Sequence, residues 1–472
     1  MQPKKAGSSD SITNGPNDRK KHLFILVHGL WGNHKHMDSI KEMMEKKLDS
    51  IDDIVIFKPE NSGYIKTLHG IRVVSYNVLD EICQFVKDYG VERFDRVSMI
   101  GYSMGGLVSR FIIGKMVTEC KDIFGNMTPV IFMTFATPHL GVNFFLPADV
   151  KRRTVYRRVL NTVLTGLGKT ILGRSGSEIF ISNKNDRILV DISQGEYLYG
   201  LSRFKHRVCF ANVKNDRTVA FYTAIIGNCD PFIETANTLD YRFNHDLPID
   251  VNNYPVQPRI LVLDELDPTV YRAKEEKPPV SLKHRVNRIL FLMLLLMVFL
   301  PLAILINTFG TCYSYTTTSR HHALLKKGRH KVQSHEDMFT SLMSSLRSII
   351  GDTINDEQDK GQDNDSDWSL DKNTLSRTIT NDSALMNDAW EKFIHSYSKV
   401  WSHDKFPSLP FDESRTTIYQ NLSKLSWIRI PVYVKAMNAH DGIVARKGLD
   451  KASPYGVANV MFACELINHL LE

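Results

Sequence analysis

Residues 99–110 read Met99-Ile100-Gly101-Tyr102-Ser103-Met104-Gly105-Gly106-Leu107-Val108-Ser109-Arg110. The pattern Gly-x-Ser-x-Gly spans Gly101 to Gly105. A β-branched and apolar run, Phe94 to Ile100, precedes it. A helical pattern with Leu107, Phe111, Ile112 and Met116 follows it. Strand, sharp turn and helix in that order hold a serine in a strained conformation with its hydroxyl pushed out beyond a sheet edge. A Cβ at the flanking glycines would collide with the adjoining strand and helix. Ser103 is therefore the candidate nucleophile. The plainer alternative is a helix-capping serine after a tight turn.

On either side of this turn, apolar runs alternate with helical patterns. His22 to His28 is a continuous apolar run, as expected of a strand buried on both faces. It leads into His28-Gly29-Leu30-Trp31-Gly32. Further strands are expected at Ile54–Phe57, Val130–Ala136, Arg207–Val213 and Trp427–Val434. Helices are expected at about Gly70–Tyr89, Ala384–Trp401 and Tyr455–Leu471. Such alternation predicts an α/β fold with a mostly parallel sheet.

A serine hydroxyl needs a base within hydrogen-bond reach, and the base needs an acceptor that fixes its tautomer. Loops at the C-terminal strand ends of a parallel sheet carry such groups. Asp216 lies just past the 207–213 run, and His440 lies between the last strand and the last helix. The order Ser103, Asp216, His440 is that of the α/β-hydrolase arrangement. Asp186, Asp191 and Asp240 are the lesser rivals for the acid. Asp441 is badly placed to orient its own neighbour. His139, in Ala136-Thr137-Pro138-His139-Leu140-Gly141, is a rival base, but it precedes any plausible acid. His28 reads as a structural hydrogen-bonding residue. The oxyanion needs preorganised N–H donors. The Met104 amide, at the start of the helix after Ser103, is one candidate. The Leu30 amide, in the glycine-containing loop after the first strand, is the other.

Composition bounds the rest. The chain has 472 residues, 43% hydrophobic and 24% charged, with a formal net charge of +7. The positive charge is not gathered into an arm with interleaved aromatics, so no nucleic-acid partner is expected, and a surface that meets anionic phospholipid fits better. Six cysteines are scattered without C-x-x-C spacing. No metal site or cofactor is expected, and a reducing compartment suits them. The polar start, Met1 to Lys21, has no apolar h-region, so no signal peptide is expected.

The expected organisation is a disordered tail at 1–20 and the first part of the hydrolase domain at 21–280. A hydrophobic hairpin at 281–310, a linker with an acidic disordered loop at 311–382 and the histidine-bearing second part at 383–472 follow. Within the first part, a lid is expected at about 142–205. It holds the apolar Phe144, Phe145 and Leu146, then the basic Lys151, Arg152, Arg153, Arg157 and Arg158. A cap packed on the core is the alternative to a mobile lid that touches lipid. Residues 254–280, rich in Pro, Glu and Lys, read as a linker. The run Ile289–Ile306 holds no polar residue.

His28-Gly29-Leu30-Trp31-Gly32-Asn33, Gly101-Tyr102-Ser103-Met104-Gly105-Gly106-Leu107, Ala136-Thr137-Pro138-His139-Leu140-Gly141 and Asn215-Asp216-Arg217-Thr218-Val219 together resemble a known family. It is the eukaryotic serine esterases of the lipase superfamily, the domain of unknown function 676 group, and within it the fungal lipid droplet phospholipases. The resemblance covers most of residues 22–235 and resumes at Trp427–Leu471. It implies an α/β-hydrolase, hydrolysis of glycerophospholipid acyl esters and a lipid droplet surface location facing the cytosol, with the endoplasmic reticulum membrane as a further site. The motifs do not separate a phospholipase from a monoacylglycerol lipase or an acyltransferase. The reading from another class is a catalytically silent, membrane-attached scaffold. An intact Ser103, Asp216 and His440 argues for the enzyme.

Overall fold

The structure is a computed structural model. It describes residues 20–48, 51–143, 145, 172–182, 187–233, 241–266, 383–399 and 406–472, with isolated positions 297, 301, 305, 308–310, 312, 313 and 316. The expected tail, most of the apolar run, the acidic loop and the basic part of the expected lid lie outside these residues.

In chain order the main elements are β1 (Lys21–Val27), α1 (Asp38–Lys47), β2 (Ile54–Phe57), α2 (Ile71–Tyr89), β3 (Phe94–Tyr102) and α3 (Met104–Thr118). Then come β4 (Thr128–Phe135), α4 (Gly173–Ile179), α5 (Gly195–Ser202), β5 (His206–Asn212), α6 (Ser383–Ser398), α7 (Glu413–Leu422), β6 (Ile428–Val432) and α8 (Pro454–Leu471). Among the described residues the strands form one six-stranded sheet in the order β2-β1-β3-β4-β5-β6. Every neighbouring pair is parallel. The chain steps outward from β1 to β2, then returns to the other side of β1 as β3. The crevice at the C-terminal ends of β1 and β3 is thus the switch point where open α/β sheets hold their sites. Strand order and connections are those of an α/β-hydrolase.

The sheet is apolar on both faces because helices cover both. Leu23, Ile25, Val97 and Met99 pack with Val74, Val78 and Ile82 of α2 and with Leu107 and Phe111 of α3. Phe24, Leu26, Ile100 and Tyr102 pack on the other side with Ile40 of α1, Trp390 and Phe393 of α6 and Phe462 of α8. Alternate residues of one strand thus serve opposite cores, which is why β1 reads as an unbroken apolar run. Each such side chain contributes about 1.5–3 kcal/mol on burial. The helix pattern after Ser103 suggested one apolar face. In the structure α3 is buried nearly all round, from Met104 to Ile113 without a break. It lies beneath α2 and α5 as well as on the sheet.

Two stretches differ from the sequence reading. Ile188, Leu189, Val190 and Ile192 are core residues, and α5 packs on α3 through Tyr197 and Phe111. The end of the 142–205 segment is therefore core rather than lid. Part of the expected linker is also built in. Ile260 bridges to Val432 in antiparallel sense, and Tyr254, Ile260, Leu261 and Leu266 are buried. Pro-rich composition hid this, because edge pairing beside β6 needs only a few residues. Among the described residues no helix is long and apolar enough to cross a membrane.

Candidate active site

Ser103 is the turn residue between β3 and α3. Its backbone has φ 55° and ψ −128°, in the left-handed half of φ space that L-residues rarely adopt. The strain is held from several sides. The Ser103 amide donates to the Phe135 carbonyl at 2.8 Å, and the Thr137 hydroxyl donates to the Ser103 carbonyl at 2.9 Å. A Cβ on Gly105 would stand 2.1 Å from the Val27 carbonyl oxygen, so only glycine lets α3 start this close to β1. Trp31, Ala136 and Asn215 also have positive φ, at 55°, 45° and 61°. They follow β1, β4 and β5 on the same edge of the sheet. Backbone strain is thus gathered around Ser103, as at functional sites.

The structure brings Ser103, Asp216 and His440 into one hydrogen-bonded line. His440 Nε2 lies 2.9 Å from Ser103 Oγ. His440 Nδ1 lies 2.9 Å from Asp216 Oδ2. A carboxylate can only accept, so Nδ1 carries the ring proton and Nε2 is left to accept from the serine hydroxyl. Burial by itself would push the Asp216 carboxyl up. The His440 ring, the Val219 amide and the Asn212 side chain outweigh that and hold it below its ordinary value. Its second oxygen accepts from the Thr218 amide at 3.0 Å and the Val219 amide at 2.8 Å. This turn is why Asp216 could be picked out from sequence.

Three supporting residues were not legible in sequence. Asn212, the last residue of β5, donates from Nδ2 to Asp216 Oδ2 and to the Ala439 carbonyl, both at 3.0 Å. It ties the acid loop to the histidine loop. The Tyr102 hydroxyl donates to the His440 carbonyl at 3.0 Å. Arg446 donates to Asp441 Oδ1 at 2.6 Å, which occupies Asp441 away from the ring, while Asn438 donates to Asp441 Oδ2 at 2.9 Å. The only sequence signal was proximity to the motifs.

The rival residues stand elsewhere. His139 is fully buried, with Nε2 3.0 Å from the Thr134 hydroxyl and its ring on Trp427. Burial, with the Arg110 cation nearby, holds its pKa well below the ordinary value. It is a core histidine. His28 is buried beside the Gly29 carbonyl at 3.0 Å, and burial lowers it to about 4. Asp191 closes a short helical turn, 3.9 Å from Arg72. Asp186 and Asp240 lie outside the described residues.

The two candidate oxyanion donors belong to the segments that adjoin the serine. Met104 is the first residue of α3. The loop carrying Leu30 presses on Ser103 from the β1 side: a Cβ on Gly29 would stand 2.7 Å from Ser103 Cβ and 3.2 Å from Oγ. That loop is fixed in turn by the Trp31 amide, which donates to Thr67 Oγ1 at 2.9 Å. Beside Asp216 opens a cavity of about 220 Å³, lined by Asn212, Asp216, Asp230, Phe145, Phe221 and Phe232 among others. Among the described residues no group of three His, Cys, Asp or Glu stands where it could hold a metal.

Residues 17–231 match the family described as "Putative serine esterase (DUF676)". That stretch is similar to the members of this family. The similarity is to serine esterases, and the strand order above is that of an α/β-hydrolase scaffold. Among curated relatives, "Putative lipase ROG1" of Saccharomyces cerevisiae is 28% identical over 211 residues, 44% of this chain and 28% of that protein. "Putative lipase C4A8.10" of Schizosaccharomyces pombe is 26% identical over 218 residues, 44% of this chain and 26% of that protein. The matched stretch thus spans little more than a quarter of either relative. Among solved structures, Est1E from Butyrivibrio proteoclasticus shares 13% identity over 43% of this chain and 72% of its own, with a TM-score of 0.25. An alpha/beta hydrolase superfamily protein from Enterococcus faecalis shares 13% over 45% and 76%, with a TM-score of 0.26.

Proposed function

We propose that the chain is a lipolytic serine hydrolase that cleaves acyl esters of glycerophospholipids at the surface of lipid droplets. The observation that carries the chemistry is the unbroken line from Ser103 Oγ through His440 to Asp216, each step 2.9 Å. In this reading His440 Nε2 takes the Ser103 proton as Oγ attacks the ester carbonyl. The Leu30 and Met104 amides receive the developing oxyanion. His440 then protonates the departing lysophospholipid oxygen, and water repeats the sequence on the acyl-enzyme. Asp216 holds the tautomer and steadies the imidazolium. The aromatic cavity beside Asp216 supplies apolar walls next to the reacting centre.

The location is supported by the apolar run Ile289–Ile306 and the basic residues on both sides of it. At the described positions within and just after that run, Met297, Leu305 and Phe309 are exposed, and exposed apolar side chains call for a lipid or protein partner. The Tyr313 ring lies tilted beside His69, with ring centroids 6.1 Å apart. His69 follows the turn that holds Thr67 and hence the Leu30 loop. Tyr313, seven positions past the run, thus lies near the turn that supports the Leu30 loop, which suits a substrate drawn from lipid.

The test is a lipid panel. Purified full-length protein is incubated with droplet emulsions bearing phosphatidylcholine, phosphatidylethanolamine, phosphatidylserine or monoacylglycerol, and products are identified by mass spectrometry. Fatty acid with lysophospholipid is the expected result. Release from monoacylglycerol alone makes the protein a monoacylglycerol lipase, and acyl transfer without free acid makes it an acyltransferase. A fluorophosphonate probe that leaves Ser103 unlabelled makes it a silent scaffold.

A further inference from the structure

Away from the triad, the fold brings together two thiols separated by 37 positions in sequence. Cys83 lies on α2, and Cys120 sits just past the C-terminal end of α3. The Cys83 thiol donates to Cys120 Sγ at 3.7 Å. Both are partly exposed, whereas Cys209, Cys229 and Cys464 are buried and Cys312 is exposed without a thiol neighbour among the described residues. We propose that Cys83 and Cys120 form a reversible oxidation site, which closes to a disulfide when it meets a small disulfide such as glutathione disulfide. This inference does not depend on the hydrolase reading.

The geometry needs little movement. A disulfide bond is about 2.05 Å long, so the sulfurs must approach by about 1.7 Å. Cys120 stands in the turn between α3 and the short helix Lys121–Phe124, a place that can yield. Polarity of the pair sets the order of events. The hydrogen bond from Cys83 stabilises a thiolate on Cys120 and holds its pKa below the ordinary thiol value, while the donor Cys83 is pushed up. The Cys120 thiolate attacks one sulfur of glutathione disulfide. That S–S bond breaks, one glutathione thiolate leaves and a mixed disulfide forms. Cys83 then gives its proton to water and attacks the Cys120 sulfur, releasing the second glutathione thiolate. Two protein thiols are oxidised and one glutathione disulfide is reduced to two thiols.

The loop this bond closes contains all of β3, Ser103 and α3. The bond itself lies beyond the far end of α3, about 22 Å along the axis from Met104. It should therefore restrain the unfolding of the nucleophile unit without moving the triad. In a reducing cytosol such a bond is transient, formed under oxidative load.

The experiment uses full-length protein carrying Cys312→Ser. After incubation with glutathione disulfide, unreduced peptide mapping should find Cys83 joined to Cys120. The thermal midpoint should rise by several degrees, and dithiothreitol should reverse both. Esterase turnover should be unchanged. Cys83→Ser should lack the rise and keep glutathione on Cys120, and Cys83→Ala repeats the test if serine disturbs folding. Stable glutathione adducts on the unmodified pair, two free thiols after treatment, or an equal rise in Cys83→Ser would each overturn the proposal.

Discussion

The Tyr102 hydroxyl donates to the main-chain carbonyl of His440 at 3.0 Å, across 338 positions of sequence. Tyr102 immediately precedes Ser103, and its ring lies 5.1 Å from the His440 ring. The residue that ends the nucleophile strand therefore also fixes the loop of the base. The two are not positioned independently: a shift of β3 moves both partners of the proton transfer together. On the opposite side of the imidazole, Asn212 does the same for Asp216 and Ala439.

Ser103→Ala should leave folding intact and remove ester hydrolysis. The serine side chain is only partly buried and packs little, so the stability change should stay within about 1 kcal/mol. Loss of the nucleophile leaves oxyanion stabilisation alone, a fall in turnover on the order of a million-fold. Activity above a few per cent, measured on a short-chain ester with the circular dichroism spectrum unchanged, would assign the nucleophile elsewhere.

Asp216→Asn should keep the geometry but present an amide N–H to Nδ1. His440 would then hold its proton on Nε2, facing Ser103, and turnover should drop by about four orders of magnitude. Steady-state kinetics on a soluble ester reads this directly. A loss smaller than about tenfold would mean that Asp216 is not the acid.

Asp230 offers a pH test that is separate from catalysis. Burial raises its carboxyl from 3.8 to about 6, against the opposing amides of Phe232 and Tyr222. Between those two values the folded protein binds a proton that the unfolded chain has released. Its contribution to stability is therefore fully present below the unfolded value and is lost as pH rises through about 6. The loss is at most about 3 kcal/mol. Asp230→Asn cannot titrate. Urea midpoints across pH 4 to 7 should fall less steeply in the variant than in the parent. Parallel curves would show that Asp230 is not perturbed.

Topology follows from the order of the triad. The eighteen-residue run 289–306 would rise about 27 Å as a helix, close to one hydrocarbon thickness. Ser103 and Asp216 precede it and His440 follows it, so a single crossing would separate partners that stand 2.9 Å apart. Pro301 within the run, and Lys283, Arg285, Arg288, Arg320, Lys326, Lys327 and Arg329 around it, suit a hairpin with both ends in the cytosol. Glycosylation acceptors placed at positions 15 and 360 should remain unmodified in cells. Modification of either would put that part of the chain in the lumen. Under the proposed droplet location, removal of 289–306 should shift the protein from droplets into the cytosol.

The elbow could be read because its demands are local. Gly101, Ser103, Gly105 and Gly106 meet steric needs within six residues, and β1 announced its double burial in a run of apolar letters. Asp216 was legible because its turn is short and polar. Asn212 and Tyr102 were not, since nothing in an asparagine or tyrosine at a strand end reveals a partner more than two hundred residues away. Nor does either Cys83 or Cys120 announce a partner 37 positions away. Residues 188–204 and 254–266 misled for a different reason: short core-packed turns and single edge bridges carry no periodicity. The all-round burial of α3 was also hidden, because Ser109 and Arg110 break the apolar pattern. In the fold Ser109 bonds back to the Gly105 carbonyl and Arg110 bonds to the His139 and Ile192 carbonyls.

Among the described residues β6 is the last strand in the sheet order and pairs with β5. His440 hangs from the loop just after it. A ribosome therefore delivers the serine and its helix long before it delivers the base. Until β6 has been translated and docked, the growing chain holds a nucleophile that nothing can deprotonate. The serine would thus remain idle throughout synthesis, and the proposed hydrolase would become active only when β6 closes the sheet.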